Sequence, residues 1–402
     1  MTFRVAHCAD THLGYAAGSR THKAGDVETG LNERVVDGYK AVREIITQII
    51  AAKPDLVVHG GDVFHTSWPD ILSVRFAQEQ LLRLHRAGIP VVILIGNHDA
   101  PSEKGKAAGP LVLHDPARGI QVVSAHSEVL RPVPGLALHA LTHMGLASRE
   151  VPDLTPVDGE VSIFAAHGAA AIPGTPLFHC SHSPNEQPLG PDLIGLPWHA
   201  GMLGHYHGMG PLPGYPHMVY SGSAIPRGFS DPQGVKYGWV EWQISEKNAS
   251  FTQHAVAQRP VVDLPKIDAA GLTGEDVTER VRANLESVDP SGAIIRQTVW
   301  NLTAHIERGV DRAALSKLAG PALSWKFDPR RPEKVEATAD GDDGQAVAIS
   351  RHVGLAELPD RFGEFVAASA DELGVPEAHR DDVIERGKRH LRAAAPVVED
   401  VA

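Results

Sequence analysis

The sequence predicts an α/β protein built as a four-layer α/β/β/α sandwich, followed by a small α/β domain and a helical segment. Two observations lead to this expectation. The first 100 residues alternate short apolar segments, typical of buried strands, with longer segments whose apolar residues recur at helical spacing. Between residues 136 and 242, strand-like segments follow one another without long helices, which favours a second sheet packed on the first.

The order of elements in the first part determines where its loops lie. Strand, helix, strand, helix and strand in sequence predict parallel strands covered by helices, with functional loops at the carboxyl ends of the strands. These elements are expected at residues 3–9 (strand), 35–51 (helix), 56–59 (strand), 71–87 (helix) and 90–95 (strand). The later strands are expected at residues 136–141, 161–166, 217–221 and 237–242.

Composition along the chain predicts four regions. The sandwich is expected at residues 1–258, and a proline-bearing connector then marks a domain boundary. Residues 259–335 predict a small α/β capping domain, with a helix capped near Thr273 and strands near 294–303 and 323–327. Acidic, glycine-containing residues 336–350 predict a flexible linker. Residues 351–402 predict a helical tail with two amphipathic helices.

Overall composition restricts the class of protein. A formal charge of -12 argues against nonspecific coating of nucleic acid, because such binding needs many phosphate contacts from Lys and Arg. It leaves room for a local basic groove. Two cysteines, Cys8 and Cys180, cannot build a disulfide framework, and neither a signal peptide nor a bilayer-spanning apolar run is evident. We therefore expect a cytoplasmic protein without a membrane partner.

Five polar blocks follow predicted strands and carry the candidate functional residues. They supply carboxylates, an amide and imidazoles, which is the ligand set that suits two Mn, Fe or Zn ions at a shared site. Two such ions can activate a water and stabilise an in-line displacement at phosphorus. The sequence therefore predicts a binuclear metal centre for phosphate-ester hydrolysis. The blocks are Asp10-Thr11-His12, Gly61-Asp62, Gly96-Asn97-His98-Asp99, His167-Gly168 and Gly204-His205-Tyr206-His207.

Spacing suggests how the ligands divide. Asp10 and His12 lie two residues apart at a strand end, so we expect them on one face, binding one ion together. Asp62 is expected to bridge two ions, and Asn97 to offer a neutral oxygen to the second ion. His205 and His207 show the same alternate spacing, which is expected to let the two imidazoles reach neighbouring ions. His167 completes the predicted ligand set.

Other polar residues suit roles beside the metals. His98, next to a predicted ligand, is the candidate catalytic residue that stabilises the transition state or protonates the leaving group, and His65 could contact the same phosphate. Several basic residues could form a phosphate-binding rim or be solvated loop charges. Residues 179–182 could bind an extra zinc ion or form a surface loop. The basic residues are Arg20, His22, Lys23, Lys104, Lys106 and Arg227.

These motifs resemble the calcineurin-like metallophosphoesterase superfamily. The segments at residues 10–14, 61–65 and 220–223 are similar to its Mre11/SbcD-like branch of DNA repair nucleases. The resemblance covers roughly residues 1–245 and implies a manganese-dependent DNA exonuclease and endonuclease. One ion would be held by Asp10, His12, Asp62 and His207, and the other by Asp62, Asn97, His167 and His205. His98 would be catalytic, supported by His65.

The resemblance also implies a partner, a Rad50/SbcC-like ATPase bound by helices after the capping domain, for which residues 355–395 are the candidate. Those helices could equally pack on the chain itself, and a homodimer stays open. Two other functions remain: a phosphodiesterase or phosphatase acting on small nucleotides, which needs no DNA groove, and a regulatory scaffold for an SMC-like ATPase. The chain carries no phosphate-loop spacing of its own, so any ATP-driven step would come from the partner.

Overall fold

The computed structural model of the chain describes residues 1–101, 106–148, 154–172, 188–232, 234–332, 358–369 and 377–399. The chain divides into two compact units, Met1–Glu333 and Lys334–Ala402. The predicted linker at 336–350 and the segment 179–182 lie outside the described residues.

The predicted strands and helices of the sandwich occur in the expected order, with further strands between them. The strands are β1 Thr2–Cys8, β2 Thr21–Ala24, β3 Val27–Asn32, β4 Leu56–His59, β5 Val91–Leu94, β6 Ile120–Val123, β7 Ser127–Val133, β8 Leu136–Leu141, β9 Val161–His167, β10 Ala200–Gly204, β11 Gly210–Leu212, β12 Tyr215–Tyr220, β13 Gly238–Ser245, β14 Ala249–Ala255, β15 Val261–Asp263, β16 Ile267–Asp268, β17 Ile294–Trp300 and β18 Ser324–Pro329. The helices are α1 Glu33–Ala52, α2 Ile71–Arg86, α3 His143–Ala147, α4 Pro191–Ile194, α5 Gly274–Glu286, α6 Ala304–Arg308, α7 Arg312–Leu318, α8 Leu358–Ser369 and α9 Arg380–Glu399.

The first sheet has the order β14-β13-β1-β4-β5-β6. Strands β1, β4, β5 and β6 pair in parallel, whereas β13 and β14 add antiparallel strands at one edge. Side chains alternate across β1: Val5 faces the second sheet, and Ala6 and Cys8 face the helices α1 and α2. Helix α1 begins where the Asn32 side chain accepts a hydrogen bond from the Arg34 amide, and α2 begins with Asp70 in the same role.

The second sheet has the order β11-β12-β10-β9-β8-β7 and packs on the first through a continuous apolar core. Its outer face is covered, in the described part, by the short helices α3 and α4 and by loops that bury Trp198. The predicted two-sheet α/β fold is therefore confirmed. The parallel arrangement brings the carboxyl ends of the strands that precede the five blocks to one edge of the sandwich.

A third, smaller sheet follows the connector. Strand β17 pairs in parallel with β15, β16 and β18, and helices α5 and α7 cover this sheet with an apolar core of its own. Thr273 and Asp276 form the predicted capping box at the start of α5. The connector joins helix α1 to the residues before β17, because Arg259 pairs with Asp37 of α1 at 2.6 Å and donates to the Gly292 carbonyl at 2.8 Å.

The second compact unit contains the two helices α8 and α9, which pack against each other. The absence of a side chain at Gly387 lets the Phe362 ring approach, since a Cβ there would lie 1.9 Å from the ring. Phe365 is largely exposed. Among the described residues, no helix combines the length and apolar character needed to cross a membrane.

Candidate metal centre

The five polar blocks meet at one edge of the sandwich, beyond the ends of β1, β4, β5, β9 and β10. Two clusters of potential ligands form there, Asp10 with His12 and His207, and Asp10 with Asp62 and His167. Within each cluster the ligand atoms lie within 4.8 Å of one another. The two sheets thus bring together residues separated by up to 197 positions along the chain.

The expected reason for this convergence was wrong in one respect. Asp10 and His12 do not share the face of a strand, because β1 ends at Cys8, and both residues adopt left-handed conformations, with φ of 51° and 41°. Asp62 (φ 55°) and His205 (φ 101°) do the same after β4 and β10. Non-glycine residues avoid this region, so four such residues in one cluster mark a strained, functional turn geometry.

Close backbone approach explains two of the glycines in the blocks. A Cβ on Gly61 would lie 2.4 Å from His167 Nδ1, and Gly61 itself has a φ of +102°. A Cβ on Gly96 would lie 2.2 Å from Oδ1 of Asp62. Any side chain at either position would displace a candidate ligand.

The turns after β1 and β4 are joined by hydrogen bonds. The Asp10 amide donates to the Gly61 carbonyl at 2.9 Å, and the His12 amide donates to the Asp62 carbonyl at 3.0 Å. Ladder-like pairing therefore continues past the strand ends. It fixes the two carboxylates of Asp10 and Asp62 relative to each other.

The first cluster places two imidazole nitrogens and a carboxylate oxygen close together. Nε2 of His12 lies 3.2 Å from Nε2 of His207 and 3.9 Å from Oδ1 of Asp10. Oδ1 of Asp10 is buried without a hydrogen-bond donor in the described part of the chain. Nδ1 of His207 lies 3.0 Å from a carboxylate oxygen of Asp231, so Nδ1 carries the hydrogen and Nε2 of the neutral ring offers a lone pair.

The second cluster repeats this arrangement. Nδ1 of His167 donates to the Gly60 carbonyl at 2.7 Å, which leaves Nε2 as an acceptor. That nitrogen faces Oδ1 of Asn97 at 2.9 Å and Oδ1 of Asp62 at 3.5 Å. Nδ1 of His205 lies 2.9 Å from the same Asn97 oxygen. Burial lowers the pKa of His167 to about 3, so the ring is neutral at pH 7.

Asp62 presents one carboxylate oxygen to each cluster. Its Oδ2 lies 3.6 Å from Nε2 of His12, and its Oδ1 faces His167 and accepts a hydrogen bond from the His98 amide at 2.8 Å. Burial raises the pKa of Asp10, and the nearby carboxylate of Asp62 raises it further. Two carboxylates in one buried site repel each other unless a cation lies between them.

The potential ligand atoms of the two clusters fit divalent cations. Nε2 of His167 directs its lone pair at the Asn97 oxygen, and the buried Oδ1 of Asp10 has no donor in the described residues, an arrangement that costs free energy in the absence of a positive charge. Carboxylate, amide and imidazole ligands match the preferences of Mn, Fe and Zn. Burial also lowers the pKa of His12 well below its usual value, which keeps this ring available as a ligand.

The two remaining histidines lie over the first cluster. Nδ1 of His98 donates to the His65 carbonyl at 2.8 Å, and the two rings stack with their centroids 5.2 Å apart. The ring of His98 also meets the ring of His12 edge to face at 4.8 Å. His12, His65 and His98 could together hold a cation. Burial lowers the pKa of His65 to about 4.

The structure adds residues that the sequence did not single out for the site. Asp231 orients His207, and the Asp99 carboxylate accepts the amide hydrogens of Val63, Phe64 and Gly96, tying the third block to the second. Asp99 lies inside a recognised block, whereas nothing local in the sequence distinguishes Asp231. A carboxylate held against the second nitrogen of a candidate ligand is recognisable only in three dimensions.

The described basic residues that were considered for a phosphate-binding rim lie in different surroundings. His22 pairs with Glu33 at 3.3 Å and Lys23 with Glu28 at 3.6 Å, and Lys106 lies over the Trp68 ring at 4.8 Å. Lys104 lies outside the described residues. Arg227, in contrast, reaches His98, with its Nη1 3.4 Å from Nε2 of that ring.

Comparison with known proteins identifies a family match and two related sequences. Residues 3–209 match the family model described as calcineurin-like phosphoesterase. The chain is 39% identical over 110 residues to the DNA double-strand break repair protein Mre11 of Methanococcus maripaludis, which is 27% of this chain and 27% of that relative. It is 27% identical over 298 residues to the protein of the same description from Haloferax volcanii, covering 73% of this chain and 60% of that relative.

These alignments cover less than two thirds of either relative. Among solved structures, a dimetal phosphatase from Danio rerio matches 63% of this chain and 99% of its own length, with 13% identity and a TM-score of 0.32.

Proposed function

Since the chain belongs to the calcineurin-like phosphoesterase family, we propose that it is a hydrolase that cleaves phosphodiester bonds of DNA, as a manganese-dependent exonuclease and endonuclease in DNA repair. The buried cluster of opposed carboxylate, amide and imidazole acceptors carries this proposal. The similarity to relatives described as double-strand break repair proteins supports DNA as the substrate.

The metal ligands divide between the clusters in this proposal. Asp62 would serve both ions, and Asn97 would contribute a neutral oxygen that limits the negative charge facing a phosphate. Bound divalent ions supply Lewis-acid activation of water and neutralise charge on the phosphate. One ion takes Asp10, His12, Asp62 and His207, and the other takes Asp62, Asn97, His167 and His205.

His98 and His65 serve the reacting phosphate rather than the ions. The His65 carbonyl fixes Nδ1 of His98, and the His98 amide is fixed by Asp62, so the ring presents Nε2 to the site. Asp231 holds His207 in the tautomer whose Nε2 is free for metal. The residues therefore orient the ligands and the catalytic imidazole before substrate arrives.

The remaining parts of the chain have proposed roles in DNA handling. Residues 1–258 form the nuclease domain, residues 259–335 cap it, and residues 336–350 link it to the tail at 351–402. The tail binds a Rad50/SbcC-like ATPase, for which the exposed Phe365 on α8 offers an apolar contact. We further propose a cytoplasmic location, where Cys8 stays a thiol, and gel filtration of the purified chain tests for a homodimer.

One experiment separates the candidate functions. The chain is purified with Mn, and cleavage of single-stranded and duplex DNA ends is compared with that of a small chromogenic diester, for wild type, His98→Ala and the exposed control His305→Ala. We expect DNA cleavage in wild type and His305→Ala and its loss in His98→Ala. Small-diester turnover without DNA cleavage, even with the ATPase added, would favour a small-molecule phosphodiesterase. No turnover combined with altered ATPase rate would favour a scaffold.

A further inference from the structure

Arg227 is a cationic side chain beside His98, and it is not one of the candidate metal ligands. Its Nη1 lies 3.4 Å from Nε2 of His98, beside the rings that cover the first cluster. Arg34, a buried arginine near this segment, is engaged by Asp37 at 2.7 Å. Arg227 therefore brings a positive charge to the place where a phosphate would meet His98.

Hydrogen-bond chemistry fixes the direction of the Arg227–His98 contact. Nδ1 of His98 donates to the His65 carbonyl, which can only accept. A guanidinium can only donate, so Nε2 of His98 is the acceptor in its contact with Arg227. His98 thus holds one edge of the Arg227 guanidinium and leaves its other N–H groups for a further acceptor.

The backbone that carries Arg227 is anchored at three points. The Tyr15 hydroxyl donates to the Arg227 carbonyl, and the buried Arg34 donates to the Pro226 carbonyl. The Arg227 amide donates to Asp231 at 2.7 Å, the same carboxylate that orients His207. The backbone of this segment is therefore tied to the first cluster, which limits the backbone entropy lost when Arg227 binds a ligand.

From this geometry we propose that Arg227 is a further catalytic residue, which donates hydrogen bonds to a non-bridging oxygen of the scissile phosphodiester while His98 orients its guanidinium. The planar, multidentate guanidinium matches phosphate oxygens better than an ammonium does. Its charge offsets the negative charge of the phosphate in the transition state. The inference rests on the proposed function for its substrate, but its anion-binding part can be measured alone.

The test compares Arg227→Gln, Arg227→Lys and the matched surface control Arg118→Gln with wild type. Arg118 is exposed and pairs with Asp115. Inorganic phosphate is titrated into each Mn-loaded protein by calorimetry, bound metal is counted, and cleavage of the DNA and diester substrates is followed. We expect Arg227→Gln to weaken phosphate binding about tenfold or more, as for a lost charge-assisted hydrogen bond, and to lower kcat/KM about 100-fold. Arg227→Lys should recover part of both.

The outcomes separate this inference from the proposed function. Equal phosphate affinity in wild type and Arg227→Gln would overturn the role of Arg227, whether or not DNA is cleaved. Loss of bound metal in Arg227→Gln would also overturn it, because Arg227 would then act on the ligands. If wild type cleaves no phosphodiester but phosphate binding depends on Arg227, the nuclease proposal fails and the anion site stands. Thermal denaturation of each variant confirms that it is folded.

Discussion

His7 is a titratable residue in the middle of a strand that otherwise packs the apolar core. By strand alternation it shares the face of Phe3 and Val5, which pack between the two sheets. Burial, with a smaller contribution from the nearby His59, lowers its pKa from 6.5 to about 3. The folded protein therefore holds His7 neutral at pH values where the unfolded chain would protonate it.

This difference predicts acid sensitivity that depends on His7. Between pH 6.5 and 3 the unfolded chain binds a proton that the folded chain excludes, so the stabilisation present above pH 6.5 is lost as the pH falls. At about 1.4 kcal/mol per pH unit, wild type should lose about 2 kcal/mol more unfolding free energy than His7→Leu between pH 7.5 and 5. Urea denaturation at both pH values measures this. His305→Leu, at an exposed site, should behave like wild type, and parallel losses in all three proteins would refute the assignment.

At the scale of elements, the turns after β1 and β4 are locked by one buried side-chain pair. Oγ1 of Thr11 donates to the Val63 carbonyl at 3.0 Å and lies 3.1 Å from Nε2 of His59. Because the hydroxyl hydrogen is already used, Nε2 of His59 must donate, and its Nδ1 accepts from the Gly61 amide at 3.3 Å. Burial lowers the pKa of His59 to about 4, so the neutral ring serves both roles.

Removing the Thr11 hydroxyl should weaken the connection between the turns after β1 and β4. Thr11→Val keeps the shape but leaves the His59 N–H and the Val63 carbonyl with one partner fewer, which should lower the unfolding free energy by about 1–3 kcal/mol. Thr11→Ser keeps the hydroxyl and should retain most of the stability. Urea denaturation of the metal-free proteins distinguishes them. Equal stability of the valine and serine variants would mean that the pair does not hold the turns.

Elements with strong local signals were predicted from the sequence. The helices α1 and α2 and the strands of the sandwich follow the apolar periodicity, and Thr273 caps α5 as its sequence context predicts. The hairpin of β2 and β3 was missed, because its residues are mostly exposed and carry no apolar alternation. Hydrogen bonding between its two strands, rather than burial of one face, forms this hairpin.

The candidate site likewise has a part that the sequence predicted and a part that only the structure shows. Every predicted ligand and both predicted catalytic histidines come together in the structure, since residue types at strand ends are visible in the sequence. The left-handed turns at Asp10 and Asp62 and the contacts of Asp231 and Arg227 depend on chain segments far apart in sequence. No local pattern encodes such contacts, so only the fold reveals them.

At the scale of the whole molecule, the candidate metal centre connects the two sheets. Asp10, Asp62 and Asn97 follow strands of the first sheet, whereas His167 and His205 belong to or follow strands of the second. A cation shared by these residues would tie both sheets together and would relieve the repulsion between the buried carboxylates. The third sheet contributes none of the candidate ligands.

Metal binding should therefore stabilise the sandwich selectively. Mn at 100 times its dissociation constant should raise the unfolding free energy by about 2.7 kcal/mol per site, and a chelator should reverse the gain. Hydrogen exchange should slow at the carboxyl ends of β1, β4 and β10 and stay unchanged in β17 and β18. Asp62→Asn should lose the response to Mn, whereas Asp115→Asn, a partly exposed control that pairs with Arg118, should keep it. Equal stabilisation of Asp62→Asn and wild type would place the bound Mn elsewhere, because Asp62 presents one carboxylate oxygen to each cluster.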